Sequence, residues 1–204
     1  MVPCDKLIID CQWLNNYANC TEIFNVVRSF YGYCCSFNYY EKNIEENETD
    51  IRKTVKYVNG AGEYISLKLT LNLSSLFYGN QTSSVKTLIH EWYTFPSQTF
   101  EEATVLPGQH LTFQIIPEIV ESSSDVRSFK KSQRRCIFDD EMKLNISYEY
   151  SYKSCLTECR IREINRLCQC NPYYYPKLSK FNRCELISKL SIFVYSFIYM
   201  FQIE

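Results

Sequence analysis

Residues 64–73 alternate without a break: Ile65, Leu67, Leu69, Leu71 and Leu73 fall on one side, Ser66, Lys68, Thr70 and Asn72 on the other. Successive side chains of an extended chain point to opposite faces, so this period of two predicts a half-buried β-strand. Residues 85–89 and 111–115 predict further strands, set off by turn signals at Gly79-Asn80 and Pro107-Gly108. Pro117 has no N–H to give, so it ends the last ladder or places it at an edge. Residues 32–40 read as an aromatic-rich strand, and residues 21–27 as a short helix with Thr21 as N-cap. Residues 41–50 hold five acids and one lysine and predict a solvated loop. Past residue 135 the period becomes helical. Asp139, Asp140 and Glu141 suit a helix N-terminus, and Tyr152, Cys155, Leu156 and Cys159 share one face of the next helix. Strands first and helix after give an α+β class.

Cysteine changes this picture most. Six of the 11 cysteines fall in residues 136–184, at Cys136, Cys155, Cys159, Cys168, Cys170 and Cys184. Cys155 and Cys159 are one helical turn apart, and the Cys168-x-Cys170 pair runs into a loop bounded by Pro172 and Pro176. Such density reads as a disulfide-stapled helical module made in an oxidising compartment. Five glycosylation sequons, at Asn19, Asn47, Asn72, Asn80 and Asn145, point the same way. Asn72 sits on the polar side of its strand, where a glycan is tolerated. Zinc on Cys155, Cys159, Cys168 and Cys170 is the competing reading of the thiols; the spacing is not a doubled C-x₂-C, and the sequons argue against it.

Charge and motifs then exclude functions. A net charge of −1 gives no overall pull toward nucleic acid. The basic residues Arg127, Lys130, Lys131, Arg134 and Arg135 read as a solvated strand edge in preference to an anion or lipid-headgroup site. His90 and His110 are the two histidines, and neither sits in a catalytic motif. P-loop, G-x-S-x-G and dinucleotide signatures are lacking, so no enzyme and no cofactor is expected. The opening residues lack a basic n-region followed by an apolar stretch. The apolar run between Leu190 and Ile203 is shorter than the ~20 residues of a membrane-spanning helix. With an odd cysteine count, these features predict a fragment of a longer protein.

Several segments together resemble the degenerin/epithelial sodium channel superfamily, and within it the insect pickpocket-type subunits. Gly32-Tyr33-Cys34-Cys35-Ser36-Phe37-Asn38 is similar to that family's G-x-C-x-[ST]-F-N strand, in a double-cysteine form. Ser66-Leu67-Lys68-Leu69-Thr70-Leu71-Asn72 resembles its G-L-S-L-x-L-N strand, with Glu63-Tyr64-Ile65 replacing the usual lead-in. Residues 85–90 resemble the strand that ends in a histidine. Gln133-Arg134-Arg135-Cys136, the Tyr152-x-x-Cys155-x-x-Glu158-Cys159 helix and Cys168-x-Cys170-x-Pro172-x-x-x-Pro176 resemble the start, helix and turn of the thumb. The order is correct over roughly residues 4–184.

The resemblance implies a subunit of a voltage-independent, amiloride-sensitive sodium channel, trimeric with other subunits of the family and placed at the extracellular face of the plasma membrane. It implies a mixed palm and β-ball sheet with a disulfide-stapled helical thumb, truncated. On that view residues 1–30 end the finger, 31–135 are palm and β-ball strands, 136–184 begin the thumb, and 185–204 form an apolar tail outside the family pattern. Cys170–Cys184 would close the innermost thumb loop, worth ~3 kcal/mol by loop entropy, and Cys11–Cys20 would staple the finger. Cys136, Cys155, Cys159 and Cys168 would pair with thumb cysteines that this chain lacks. The family's first membrane helix and its G-x-S filter helix have no counterpart here, so the sodium path and the membrane contact would belong to the intact parent, the tail being a second possible anchor. The alternative expectation is a secreted or anchored extracellular module acting as a decoy for full subunits.

Overall fold

The computed structural model describes residues 2–42, 48–73, 84–97, 101–178 and 181–184. Its first unit is built by one short hairpin and two staples. Helix α1 (Cys4–Leu7) leads into β1 (Ile8–Trp13), which turns through Leu14 and Asn15 into β2 (Asn16–Tyr17). Both turn residues have positive φ, 53° and 61°, the backbone twist that lets a two-residue loop join antiparallel strands. Helix α2 (Cys20–Ile23) follows, then β3 (Phe24–Ser29) and β4 (Gly32–Phe37), which pair antiparallel along their whole length. The strand β5 (Leu67–Leu71) returns to lie beside β1, giving the order β2-β1-β5.

Between these elements Ile8, Cys11 and Phe24 are buried, with Leu7, Ile23, Phe37, Leu67 and Leu71 packed around them. Leu69, on the same alternating side, remains 41 % exposed, so the core covers only the ends of that leucine row. Disulfides Cys4–Cys35 and Cys11–Cys20 tie the hairpins together across this small core. The doublet Cys34-Cys35 explains itself here: neighbours on a strand face opposite ways, so one sulfur reaches Cys4 while Cys34 stays a thiol beside Ser29 Oγ, 3.0 Å away.

The second unit gathers helix α3 (Glu48–Thr54), the antiparallel pair β6 (Val85–Ile89) and β7 (Glu101–Val105), the short helix α4 (Lys131–Arg134) and the 17-residue helix α5 (Tyr152–Cys168). Its core is Phe95, Ile146, Ile161 and Tyr175. Helix and sheet are mixed, as the α+β class requires, and the described strands form three separate antiparallel sheets.

Four sequence expectations need correcting. Asn19, not Thr21, caps α2: its Oδ1 accepts from the Thr21 N–H at 3.2 Å, and the chain turns extended at Phe24 because Phe24, Val26 and Val27 are better served by pairing with β4. Of the expected acidic loop, residues 43–47 lie outside the described residues, and Glu48 already starts α3, where Arg52 bridges Glu48 four residues back and Glu149 across the fold. The basic stretch is no strand edge; residues 124–128 form a 3₁₀ turn, α4 follows, and Arg127 and Arg134 are paired with Asp140 and Glu141. Residues 111–115 are not a strand. Positions 110–122 are exposed throughout and hydrogen-bond to no other described residue, because a period of two makes a strand only where a neighbour completes its ladder.

The β3–β4 turn fixes where the two units meet. Ser29 is fully buried, donates its hydroxyl to the Gly32 carbonyl at 3.0 Å and accepts the Tyr31 N–H at 3.1 Å. Gly32 has φ +104°, and a Cβ there would touch nothing within 4 Å. Gly32→Ala therefore carries a pure backbone penalty of about 1–3 kcal/mol, expected as a lower urea midpoint with an unchanged slope.

Candidate functional site

The helix α5 is placed by its cap. Ser151 Oγ accepts the Ser154 N–H at 3.0 Å and lies 3.4 Å from Thr94 Oγ1, so the first turn is fastened both to itself and to the segment after β6. The inward face carries Ser154, Thr157, Glu158, Ile161 and Asn165, an unusually polar stripe for a packed helix. Each polar member needs a partner there, and Glu158 shows how. Its side chain is 4 % exposed, yet its carboxylate accepts from the Asn145 N–H at 2.7 Å, Asn145 Nδ2 at 2.9 Å and Arg162 Nη2 at 2.5 Å. Burial alone raises the pKa of this carboxyl; the bonds from Arg162 and Asn145 outweigh it and hold Glu158 below the ordinary range. The outcome is a charged clasp between α5 and the segment 144–148.

At its C-terminus α5 stops on Gln169, at φ 54°, whose N–H donates to the Asn165 carbonyl. The chain reverses into a loop closed by Cys170–Cys184. Within it Asn171 is fully buried: its N–H donates to the Asn182 carbonyl and its carbonyl accepts from the Cys184 N–H, both at 2.8 Å. Arg183 Nη1 donates to the carbonyls of Pro172 and Tyr175, each at 2.8 Å, tying the proline-bounded turn from inside.

That turn presents Tyr173, Tyr174 and Tyr175 as a run of touching rings. Tyr174 meets Phe30 at the tip of the β3–β4 hairpin edge-on, centroids 5.3 Å apart, and Tyr175 meets Phe95 at 5.4 Å. Phe30 N–H also donates to the Pro96 carbonyl at 2.9 Å. Helix, stapled loop and strand hairpin thus converge on one aromatic joint around Ile161, which is fully buried. Burial raises the phenols of Tyr174 and Tyr175 above the usual tyrosine range, so the joint stays neutral at physiological pH. Burial also lowers the pKa of His90, whose ring packs edge-on against Tyr39 at 5.4 Å.

The cysteines divide clearly. Cys170 and Cys184 are bonded, as are Cys11 and Cys20. Cys155 and Cys168 are half-buried thiols, and Cys136 and Cys159 exposed ones. With Cys170 committed to Cys184, four thiolates are not free to close a zinc site, and among the described residues no cluster of three or more metal-ligating side chains occurs. The Cys4–Cys35 bond escaped the sequence reading, since nothing local distinguishes Cys4 as a partner at a separation of 31 residues. Of the sequons, Asn19 is exposed and caps α2, Asn72 is half-buried beside β5, and Asn145 is exposed with its amide held by Glu158; Asn47 and Asn80 lie outside the described residues, as does the tail 185–204. Among the described residues no helix is long and apolar enough to cross a membrane.

A family model described as amiloride-sensitive sodium channel matches residues 1–192. The chain belongs to that family. The family is one of ion channels, not of enzymes. Relatives include pickpocket protein 28 of Drosophila melanogaster, 27 % identical over 214 residues, covering 89 % of this chain and 35 % of the relative. Sodium channel protein Nach of Drosophila virilis is 29 % identical over 185 residues, covering 88 % and 44 %. The Nach protein of Drosophila ananassae is 27 % identical over 175 residues, covering 84 % and 32 %. The chain thus spans between 32 % and 44 % of the length of these curated relatives.

The Glu158 clasp gives a pH dependence of known sign. A carboxyl held below its free value of 4.5 stabilises the fold at pH above that value and ceases to do so as pH falls through the folded value. Glu158→Gln is expected to cost about 1–3 kcal/mol at neutral pH, the penalty for a weakened buried network. It should also flatten the acid side of the stability curve below pH 4.5, measured by urea melts across pH.

Proposed function

We propose that this chain is extracellular sequence of a sodium channel subunit. The channel is voltage-independent and amiloride-sensitive, assembles as a trimer with other subunits of its family at the plasma membrane, and passes sodium through a pore built by polypeptide outside these residues. In this reading residues 1–30 end the finger, 31–135 supply palm and β-ball, and 136–184 begin the thumb. Cys136, Cys155, Cys159 and Cys168 take partners beyond residue 184, and the sequon asparagines carry glycans, Asn19 and Asn145 being exposed.

The observation that carries the reading is the aromatic joint. A stiff 17-residue helix and a disulfide-closed loop share one core with the tip of a strand hairpin, through Ile161, Tyr175, Phe95 and the Tyr174–Phe30 contact. Motion of the cysteine module therefore reaches the hairpin through ring packing, which has discrete arrangements, and not through a slack linker. Gating by ligand, protons or force would act by tilting the helix about this joint.

The test is current recording from a full-length subunit containing this segment, wild type and Tyr174→Ala, with surface abundance measured in parallel. The expected result is a voltage-independent, amiloride-blocked sodium current whose opening and closing kinetics change in Tyr174→Ala at equal surface abundance. Unchanged kinetics would remove the joint from the mechanism. Absence of any sodium current in the wild type, with suppression of a co-expressed subunit, would replace the proposal with a decoy.

A further inference from the structure

Two of the described sequons are held in different ways. At Asn19 the motif keeps to itself: Thr21 is exposed, and its hydroxyl donates at 2.9 Å to the Asn19 side chain. The Asn145-Ile146-Ser147 motif is instead built into the second unit. Ile146 is 3 % exposed and belongs to the core with Phe95, Ile161 and Tyr175. Ser147 is 1 % exposed, and its one O–H is shared between the Tyr93 carbonyl at 2.9 Å and the Glu149 carbonyl at 2.7 Å. Lys42 Nζ donates to the Leu144 and Ser147 carbonyls, at 2.7 and 3.1 Å, which pins the backbone on both sides of the motif. Asn145 itself is exposed, yet its N–H and its Nδ2 fork onto the two oxygens of Glu158, at 2.7 and 2.9 Å.

A sequon needs its third residue, because the Ser or Thr hydroxyl is what a glycosyl transferase holds while the asparagine nitrogen reacts. In the folded chain the Ser147 hydroxyl is out of reach, and drawing it out would pull Ile146 from the core. The amide nitrogen of Asn145 carries two hydrogens, of which the Glu158 contact uses one. Exchanging the other for a sugar turns a primary amide into a secondary one and still leaves an N–H for the clasp.

We propose that Asn145 receives its glycan before α5 docks, and that the glycosylated nitrogen then closes the Glu158 clasp. In the transfer Nδ2 bonds to the anomeric carbon of a lipid-pyrophosphate-linked oligosaccharide. The C–O bond to the pyrophosphate breaks, the lipid pyrophosphate departs, and one Nδ2 proton passes to base. Docking then buries Ile146 and Ser147 and shuts the sequon. This deepens the extracellular reading and rests on it, since such a donor is met on the secretory route. The arrangement has a chemical corollary. Hydrolysis of the Cγ–Nδ2 bond consumes water, releases the sugar as a glycosylamine and leaves a carboxylate where the donor stood. Two like charges then face each other across the clasp.

The first test offers purified oligosaccharyltransferase and its lipid-linked donor to the sugar-free chain, oxidised and folded, and to a synthetic peptide of residues 140–150. The peptide is expected to gain sugar at Asn145 about tenfold faster or more, because only locally opened molecules of the folded chain are substrates. Equal rates would overturn the proposal. Glycopeptide mapping of the full-length subunit from cells separates the two readings. No sugar at any sequon overturns the extracellular reading, whereas sugar at Asn19 with Asn145 bare overturns this inference alone. The second test keeps Asn145 as the one sequon, by Thr21→Ala, Thr49→Ala, Ser74→Ala and Thr82→Ala. Urea melts compare the chain trimmed to a single N-acetylglucosamine by an endoglycosidase, which spares the amide, with the sugar-free chain and with Asn145→Asp. The trimmed and sugar-free midpoints are expected to agree. Asn145→Asp should lie lower at neutral pH and approach them below pH 4.5, where the facing carboxyls take up a proton. A trimmed chain as unstable as Asn145→Asp, or an Asn145→Asp chain as stable as the sugar-free one at neutral pH, would remove the nitrogen from the clasp.

Discussion

The packing of Ile161 against Phe95 and Tyr175 is the contact on which the rest of the second unit depends. Three segments far apart in sequence supply it: the middle of α5, the stretch after β6, and the stapled loop. None has an apolar face broad enough to fold alone. The inward stripe of α5 has one large aliphatic residue among Ser154, Thr157, Glu158 and Asn165. Burying Ile161 therefore brings four polar neighbours inside, and the fold satisfies three of them, Ser154 with the Ser151 cap, Thr157 with a back-bond to the Lys153 carbonyl and Glu158 with the Asn145–Glu158–Arg162 clasp, while Asn165 Oδ1 has no partner among the described residues. Hydrophobic burial sets the position, and hydrogen bonding makes it specific.

The first unit solves its problem differently. Its core of Ile8, Cys11 and Phe24 is too small to hold two hairpins by burial alone, and covalent closure substitutes for area. The two units meet where the buried Ser29 hydroxyl shapes the β3–β4 turn and sets Phe30 against Tyr174. One side of that contact is stiffened by sulfur, the other by a long capped helix, and between them lies a joint of rings.

Legibility followed the range of the interaction. The α5 helix, with Cys155 and Cys159 a turn apart, was readable because helical contacts are local, and β5 because Leu67, Lys68, Leu69, Thr70 and Leu71 alternate cleanly. The Leu14-Asn15 turn was not, since neither residue is the glycine that usually announces positive φ; strand pairing imposes it. Thr21 lost the cap to Asn19 because Phe24, Val26 and Val27 were already claimed by β4. Residues 111–115 carry a strand pattern, but pattern describes one chain and a ladder needs two. The buried pairing of Arg134 with Glu141 could have been suspected from the charges, yet which arginine turns inward depends on where Phe138 lies.

The bare run at 110–122 has a consequence for the life of the polypeptide in a cell. Leu111, Phe113, Ile115, Ile116, Ile119 and Val120 are between 42 % and 98 % exposed, on backbone with open donors and acceptors. Sticky, ladder-ready segments of this kind are what folding helpers grip and what like copies seize from one another. An uncovered run of this kind is a template on which like copies can add strands, so whatever polypeptide lies over these thirteen residues would also hold such copies apart.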